Sequence, residues 1–157
     1  MTAITALEAV YLHWEAVNWG SPENAAGVLA DEFVWSVLPE AELYVGASGY
    51  CNCVQWWRDA FPDFWLELKT LRSGDRWVLA THLLRGEHCG TFFSAHGFVA
   101  ATGVEIALPV CEIYQIERGR LARIETYYDM ADLLRQMRRN VGFAPALPAR
   151  TPVFALG

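Results

Sequence analysis

The run Glu117-Arg118-Gly119-Arg120-Leu121-Ala122-Arg123-Ile124-Glu125-Thr126-Tyr127-Tyr128-Asp129 turns the chain back on itself. A charged turn centred on Gly119 joins two alternating segments, Val104 to Ile116 and Leu121 to Asp129, which predicts a β-hairpin. The second segment ends on an acid, and Met130 to Arg139 behind it has the pattern of a short helix. A carboxylate at a strand end, framed by Tyr127 and Tyr128, is a candidate general base in an aromatic setting. Aspartate is also a favoured helix N-cap, so the same residue has a purely structural reading.

Working outward, the chain upstream divides into helices and then strands. Ile4 to Asn18 places Ile4, Leu7, Tyr11 and Trp14 on one stripe at helical spacing, with Val10 and Val17 beside it and Gly20 as a stop. Ser21-Pro22-Glu23-Asn24 is a helix start, with Ser as the cap and Pro in the first turn; this second helix is expected to end near Asp31. Phe33 to Leu38 and Glu42 to Val45 are strand candidates, and Ser48 to Phe61 is a third helix ahead of Pro62. Phe64 to Leu71 and Arg76 to Arg85 are strands around the turn Ser73-Gly74-Asp75, and Gly90 to Thr102 is irregular. Helices first and a run of antiparallel strands after them predict an α+β fold, with helices on one face of a curved antiparallel sheet. The tail, 140–157, contains Pro145, Pro148 and Pro152 and is expected to lie extended beyond a domain spanning 1–139.

Composition narrows the function. With 157 residues, 54% of them apolar and 13% aromatic, one domain with a sizeable core or an apolar pocket is expected. A net charge of −6 argues against non-specific nucleic-acid binding, which needs a cationic surface. There is no apolar run of about 18 residues to cross a membrane. The segment from Met1 to Leu7 has no basic start, so no signal peptide is expected and a cytoplasmic location is. The four cysteines, Cys51, Cys53, Cys89 and Cys111, are then expected to be reduced. Cys51, Cys53, His88 and Cys89 fit no common zinc spacing, so no metal is expected.

Several short motifs, in order, give the chain a resemblance. Phe61-Pro62-Asp63-Phe64 stands before a strand, Gly74-Asp75-Arg76-Trp77-Val78 at a strand entry, and Gly86-Glu87-His88-Cys89-Gly90 near a strand end. Thr102-Gly103-Val104-Glu105 opens the next strand; Gly119-Arg120-Leu121, Tyr127-Tyr128-Asp129 and Leu133-Leu134-Arg135-Gln136-Met137 close the series. With these, residues 5 to 138 resemble the SnoaL-like polyketide cyclases, within the superfamily built like nuclear transport factor 2 and ketosteroid isomerase.

The resemblance implies a cone-shaped α+β barrel whose sheet and N-terminal helices enclose an apolar cavity. It places Asp129 where the cyclases' acid–base aspartate is expected, and Glu125 where relatives usually carry Trp. It implies a cofactor-independent enzyme that forms an enolate from an apolar ketone and lets it cyclise or isomerise, and a homodimer packed sheet to sheet. A carboxylate in an apolar pocket can take a proton from carbon α to a carbonyl, as the general base of ketosteroid isomerase does. His88 is the second candidate catalytic residue, as a donor to the developing oxyanion, a role open also to His82 and Tyr127. Trp14, Trp35, Phe61, His82, Glu112, Glu125 and Tyr127 are the candidate substrate-binding residues; His13 and His96 look peripheral. Alternate residues of a strand share a face. If Asp129 faces the cavity, Glu125 and Tyr127 do too, while Ile124, Thr126 and Tyr128 face away toward a second copy. Two other functions stay open: a small-molecule-binding domain without catalysis, and an epoxide hydrolase of the limonene type using Tyr50, Asn52 and Arg85.

Overall fold

The computed structural model describes residues 5–138. The proline-containing tail expected over 140–157 lies outside the described residues. Helix α1 spans Ala6–Asn18. It starts on a capping box in which Thr5 Oγ1 accepts from the Glu8 amide at 3.2 Å and Glu8 Oε2 accepts from the Thr5 amide at 2.7 Å. Its buried stripe is Val10, His13, Trp14 and Val17, at the i, i+3, i+4, i+7 spacing of one helix face. Tyr11, expected on that stripe, is exposed instead. The segment read as a second helix is a 3-10 turn, Pro22–Val28, and strand β1, Leu29–Val37, begins directly after it.

Strand β2 (Glu42–Val45) leads into helix α2, Gly46–Ala60. Strands β3 (Trp65–Ser73) and β4 (Trp77–Glu87) form the next hairpin. A small hairpin, β5 (Phe92–Ser94) with β6 (Gly97–Val99), occupies the stretch expected to be irregular. Strands β7 (Glu105–Glu117) and β8 (Arg120–Tyr128) turn at Arg118 and Gly119, both at positive φ, and helix α3 covers Met130–Met137. The backbone of Gly90 passes so close to α2 that a Cβ there would sit 1.8 Å from the Asp59 carbonyl oxygen. The Cys89 and Gly90 amides both donate to the Ala60 carbonyl, which ties the end of β4 to the end of α2.

The main sheet is six-stranded, in the order β2-β1-β8-β7-β4-β3, and it is open. The α+β architecture with a curved sheet is as expected from the sequence. The sheet is not wholly antiparallel, however: β1 runs parallel to β8. Extra residues at Lys69 in β3 and at Ala122 in β8, the latter opposite Gln115/Ile116, bend the strands and supply curvature. Helix α1 lies across β3, β4, β7 and β8, α2 lies against β1 and β2, and α3 packs on β7. The face under α1 and α2 is the core: Val78, Ala80, His82 and Leu84 from β4, Leu108, Val110, Glu112 and Tyr114 from β7, and Ile124, Thr126 and Tyr128 from β8, all buried.

That arrangement reverses the expected parity of β8. Ile124, Thr126 and Tyr128 point inward, and Glu125 and Tyr127 lie on the outer face. The extra residue Ala122, opposite Gln115/Ile116, lets Leu121 and Ile124 both be buried although they are an odd three positions apart. Beyond it the apolar residues keep the inner face.

Candidate functional site

Three neighbouring strands place polar side chains at one level of an otherwise apolar core. Glu112 on β7 pairs with Thr126 on β8 and with Ala80 on β4, so His82, two residues along β4, is its diagonal neighbour on the same face. Tyr114 follows on β7, and α1 brings Trp14 and His13 over this row. β1 contributes Trp35, whose register partner on β8 is Ile124. Glu112, His82, Thr126, Tyr114, Trp14, Trp35 and His13 are all buried.

The carboxylate of Glu112 is held by two matched relays. The Trp35 indole Nε1 donates to Thr126 Oγ1 at 2.9 Å, and Thr126 Oγ1 donates to Glu112 Oε1 at 2.8 Å. The Trp14 indole Nε1 donates to the Tyr114 hydroxyl at 2.8 Å, and that hydroxyl donates to Glu112 Oε2. Each carboxylate oxygen thus accepts from a hydroxyl that is itself polarised by an indole. His82 Nε2 lies 3.3 Å from Glu112 Oε2 and 3.2 Å from the Tyr114 hydroxyl. Beside this group His13 Nδ1 is 2.7 Å from the Tyr50 hydroxyl. His13 Nε2 and His82 Nδ1 are buried without a hydrogen-bond partner among the described residues.

Burial alone would push the Glu112 carboxyl up. The hydrogen bond and charge of His82, the charge of His13 and the Tyr114 hydroxyl outweigh it and hold the group at about 2. Burial drives His13 the other way, down to about 4, against the raising influence of Glu112. At neutral pH Glu112 is therefore ionised and His13 neutral. Burial, and next the charge of Glu112, pushes the Tyr114 phenol well up, so it stays a donor.

Glu112 and Thr126 reach a small cavity. Its other walls are apolar: Val17 from α1, Trp35 from β1, Val54 and Trp57 from α2, then Phe64, Leu66, Leu84 and Val110. The free volume is about 20 Å³, room for about one water molecule. A far larger cleft of about 650 Å³ opens between the start of α1 and the turns at Ser73–Arg76 and Glu117–Gly119. It is open and lined mainly by turn residues, and it holds none of the buried polar cluster.

The structure redistributes the expected site residues. Trp14, Trp35, His82 and Glu112 come together as described. Asp129 does not join them: it is exposed, and its Oδ1 accepts from the amides of Ala131 at 2.8 Å and Asp132 at 3.3 Å. The aspartate expected as a pocket base is the N-cap of α3. Glu125 and Tyr127 face outward and bond each other, the Tyr127 hydroxyl donating to Glu125 Oε2 at 2.9 Å. The reason is the parity of β8 described above. Phe61 is buried but belongs to an aromatic group with Trp57, Phe92 and His88.

His88 is buried too, with Nδ1 2.9 Å from Thr102 Oγ1, and burial lowers its pKa. It lies six residues beyond His82, a span on the order of 20 Å for extended chain. Arg85, considered for an epoxide hydrolase, pairs with Glu67 near the surface, and Tyr50 is engaged by His13. Cys51, Cys53, Cys89 and Cys111 are free thiols. Among the described residues no three His, Cys, Asp or Glu side chains gather as a metal site, and no helix is long and apolar enough to cross a membrane.

Sequence reasoning misses His13, Tyr114 and Thr126. His13 has a readable signal: it stands between Val10 and Val17, three residues after the one and four before the other, on the stripe those residues define. Thr126 falls on the wrong face when alternation is counted back from Asp129. Nothing in the one-dimensional pattern marks Tyr114 apart from its place two residues after Glu112.

Comparison with known proteins supplies an independent line. A family model described as SnoaL-like polyketide cyclase matches residues 8–137. A search of curated proteins finds no match. Among solved structures, a candidate SnoaL-like polyketide cyclase from Jannaschia sp. CCS1 superposes with a TM-score of 0.74 at 13% identity, covering 87% of this chain and 95% of its own. IdmH, a candidate polyketide cyclase from Streptomyces antibioticus, gives 0.70 at 19% identity, with 83% and 96% covered. An LEH-like epoxide hydrolase from M. tuberculosis gives 0.64 at 14% identity, with 87% and 91% covered. At such identities the likeness is one of fold, and one fold hosts several chemistries.

Proposed function

Since the chain belongs to the SnoaL-like polyketide cyclase family, we propose that it is a cofactor-independent acid–base enzyme acting on an apolar carbonyl compound, with Glu112 as its base. The observation that carries this is the Glu112 carboxylate itself, buried, ionised and lining an apolar cavity. An ionised carboxylate sequestered from water is the form that removes a proton from carbon α to a carbonyl. The enolate so formed attacks an internal carbonyl in a cyclisation, or takes the proton back at another carbon in an isomerisation. A carboxyl held near 2 is a weak base. His82 Nε2, 3.3 Å away, is the neighbour that steadies the carboxylate before and after it takes the proton. The Thr126 hydroxyl, at the cavity wall, donates to Glu112 Oε1 and so fixes the carboxylate's orientation toward the cavity.

The experiment is proton exchange. A panel of cyclic and 1,3-dicarbonyl ketones incubated in heavy water is expected to exchange α-protons with the wild-type protein and not with Glu112→Gln. If Glu112→Gln exchanges as fast as wild type while Asp129→Asn is dead, the base is Asp129. A second reading, binding without catalysis, is favoured by how nearly the cavity is filled; ligand binding without any exchange by the wild type would support it. On either reading we propose a homodimer through the outer face of the sheet, where Leu79, Leu83 and Ile113 are only half-buried and Tyr127 is exposed.

A further inference from the structure

A cavity of about 20 Å³ admits no carbon skeleton, so on the reading of this cavity as a binding site one of its walls moves. Of the lining side chains Trp57 is the one backed by a separable element, the β5–β6 hairpin. Its strands pair only with each other and make no ladder with the six-stranded sheet. Its inward residue Phe92 is buried against Trp57, at 6.2 Å between ring centroids, and Trp57 lines the cavity. Its outward residues Phe93 and Phe98 stack at 6.2 Å and are 63% and 70% exposed.

What holds the hairpin down is a second buried carboxylate. Glu40, in the 3-10 turn Leu38–Glu40 after β1, is 3% exposed and pairs with no cation among the described residues. Its Oε2 accepts from Ser94 Oγ at 2.8 Å and from the Ala95 amide at 2.9 Å, both in the hairpin. Its Oε1 accepts from the Tyr128 hydroxyl at 3.2 Å, at the end of β8. Tyr128 packs edge-on to Trp57 at 5.5 Å between centroids. Burial, and then Glu40, raises the Tyr128 phenol, which therefore remains a donor. A few further bonds complete the seat: the Trp56 indole donates to the Phe93 carbonyl at 2.9 Å, and His96 Nε2 lies 3.3 Å from the Pro39 carbonyl.

We propose that the β5–β6 hairpin is the movable backing of the Trp57 wall, whose release lets Trp57 swing away and substrate reach Glu112, and that Glu40 is the positioning residue that latches it shut. A buried carboxylate satisfied by three neutral donors is a stable closure when all are present and a weak one when any is lost.

The test needs no knowledge of the substrate. Amide hydrogen exchange over 90–101, and quenching of tryptophan fluorescence by acrylamide, are measured in the full chain for wild type, Glu40→Gln and Ser94→Ala. Ser94→Ala removes one donor and leaves the carboxylate in place, so it serves if Glu40→Gln does not fold. Loss of one bond is expected to speed exchange in the hairpin by a few-fold to roughly tenfold, with β7 and β8 unchanged. It is also expected to expose Trp57 to acrylamide; because Trp56 touches the hairpin too, the gain is read in a Trp56→Phe background, where it is expected to vanish on adding Trp57→Phe. Unchanged hairpin exchange overturns the proposal. So does faster exchange spread evenly over β7 and β8, which makes Glu40 a structural brace, or faster hairpin exchange with no gain in quenching. None of these readouts depends on proton exchange by Glu112, so the proposed chemistry can fail while the latch stands, and the reverse.

Discussion

Glu112 and Asp129 sit one strand apart and meet opposite fates. Glu112 lies mid-strand on the face covered by α1 and α2, and its carboxylate is closed in by two indole-to-hydroxyl relays and His82. Asp129 lies one residue past the end of β8, in solvent, and serves the first amides of α3. Both are acids near aromatic residues. What separates them is that a buried carboxylate must be satisfied by protein donors, and those donors then determine what it can do. An exposed cap has water as an alternative partner and contributes modestly to one helix.

Neutralising each acid in turn separates the two roles. Glu112→Gln is expected to lower turnover on any carbon acid the wild type exchanges by roughly 10²–10⁴-fold, the usual worth of a positioned base; kcat for α-proton exchange is the measure. Next in size is a pH effect on stability. His13 drops from 6.5 to about 4 on folding, which corresponds to about 3 kcal/mol of linkage. The unfolded chain binds a proton at His13 between those values and the folded chain does not, so stability is expected to fall as pH drops from 6.5 toward 4. Urea unfolding across that window checks it, and His13→Gln is expected to flatten the slope. Glu112, lowered from 4.5 to about 2, acts below that window. Its contribution is present above pH 4.5 and is lost as pH falls through 2.

The smaller predictions concern the exposed side of the comparison. Asp129→Ala is expected to cost about 1 kcal/mol in thermal or urea unfolding and to leave turnover intact, with Asp129→Asn milder because Asn also caps. An Asp129→Asn enzyme that folds normally but has lost its activity would reverse the assignment of roles. Tyr127→Phe, which removes only the exposed bond to Glu125, is expected to change stability by less than about 0.5 kcal/mol in the isolated subunit.

Most elements of this fold can be read from residues alone, because their signals are local. The hairpin around Gly119, the helix ending at Asn18 and the helix before Pro62 all announce themselves by periodicity and punctuation. The site is less legible. The alternation of β8 is regular from Ile124 to Tyr128, but counting it back from Asp129 starts from a residue that has already left the strand to cap α3, and so assigns every side chain to the wrong face. The partnership of Trp14 with Tyr114 joins residues 100 apart, and that of Trp35 with Thr126 joins residues 91 apart. The apolar character of the 124, 126, 128 face does point to burial, and following that signal in preference to the acid at its end finds Thr126.

The parallel pairing of β1 with β8 sets the order in which this chain can be assembled. Leu29 pairs with Leu121 and Trp35 with Ile124, so the local β1–β2 pair joins the rest of the sheet only after nearly the whole domain has left the ribosome. The β1–β2, β3–β4 and β7–β8 pairs are local and can close early, while the β1–β2 pair, with Trp35 and the turn bearing Glu40, must wait to dock on the edge of β8. Non-local pairing of this kind slows folding into the millisecond-to-second range. A nascent chain stalled before β8 would hold a β1–β2 pair whose other edge is open and whose Phe33, Trp35 and Val37 lack the β8 side of their core, and is expected to depend on chaperones until synthesis resumes.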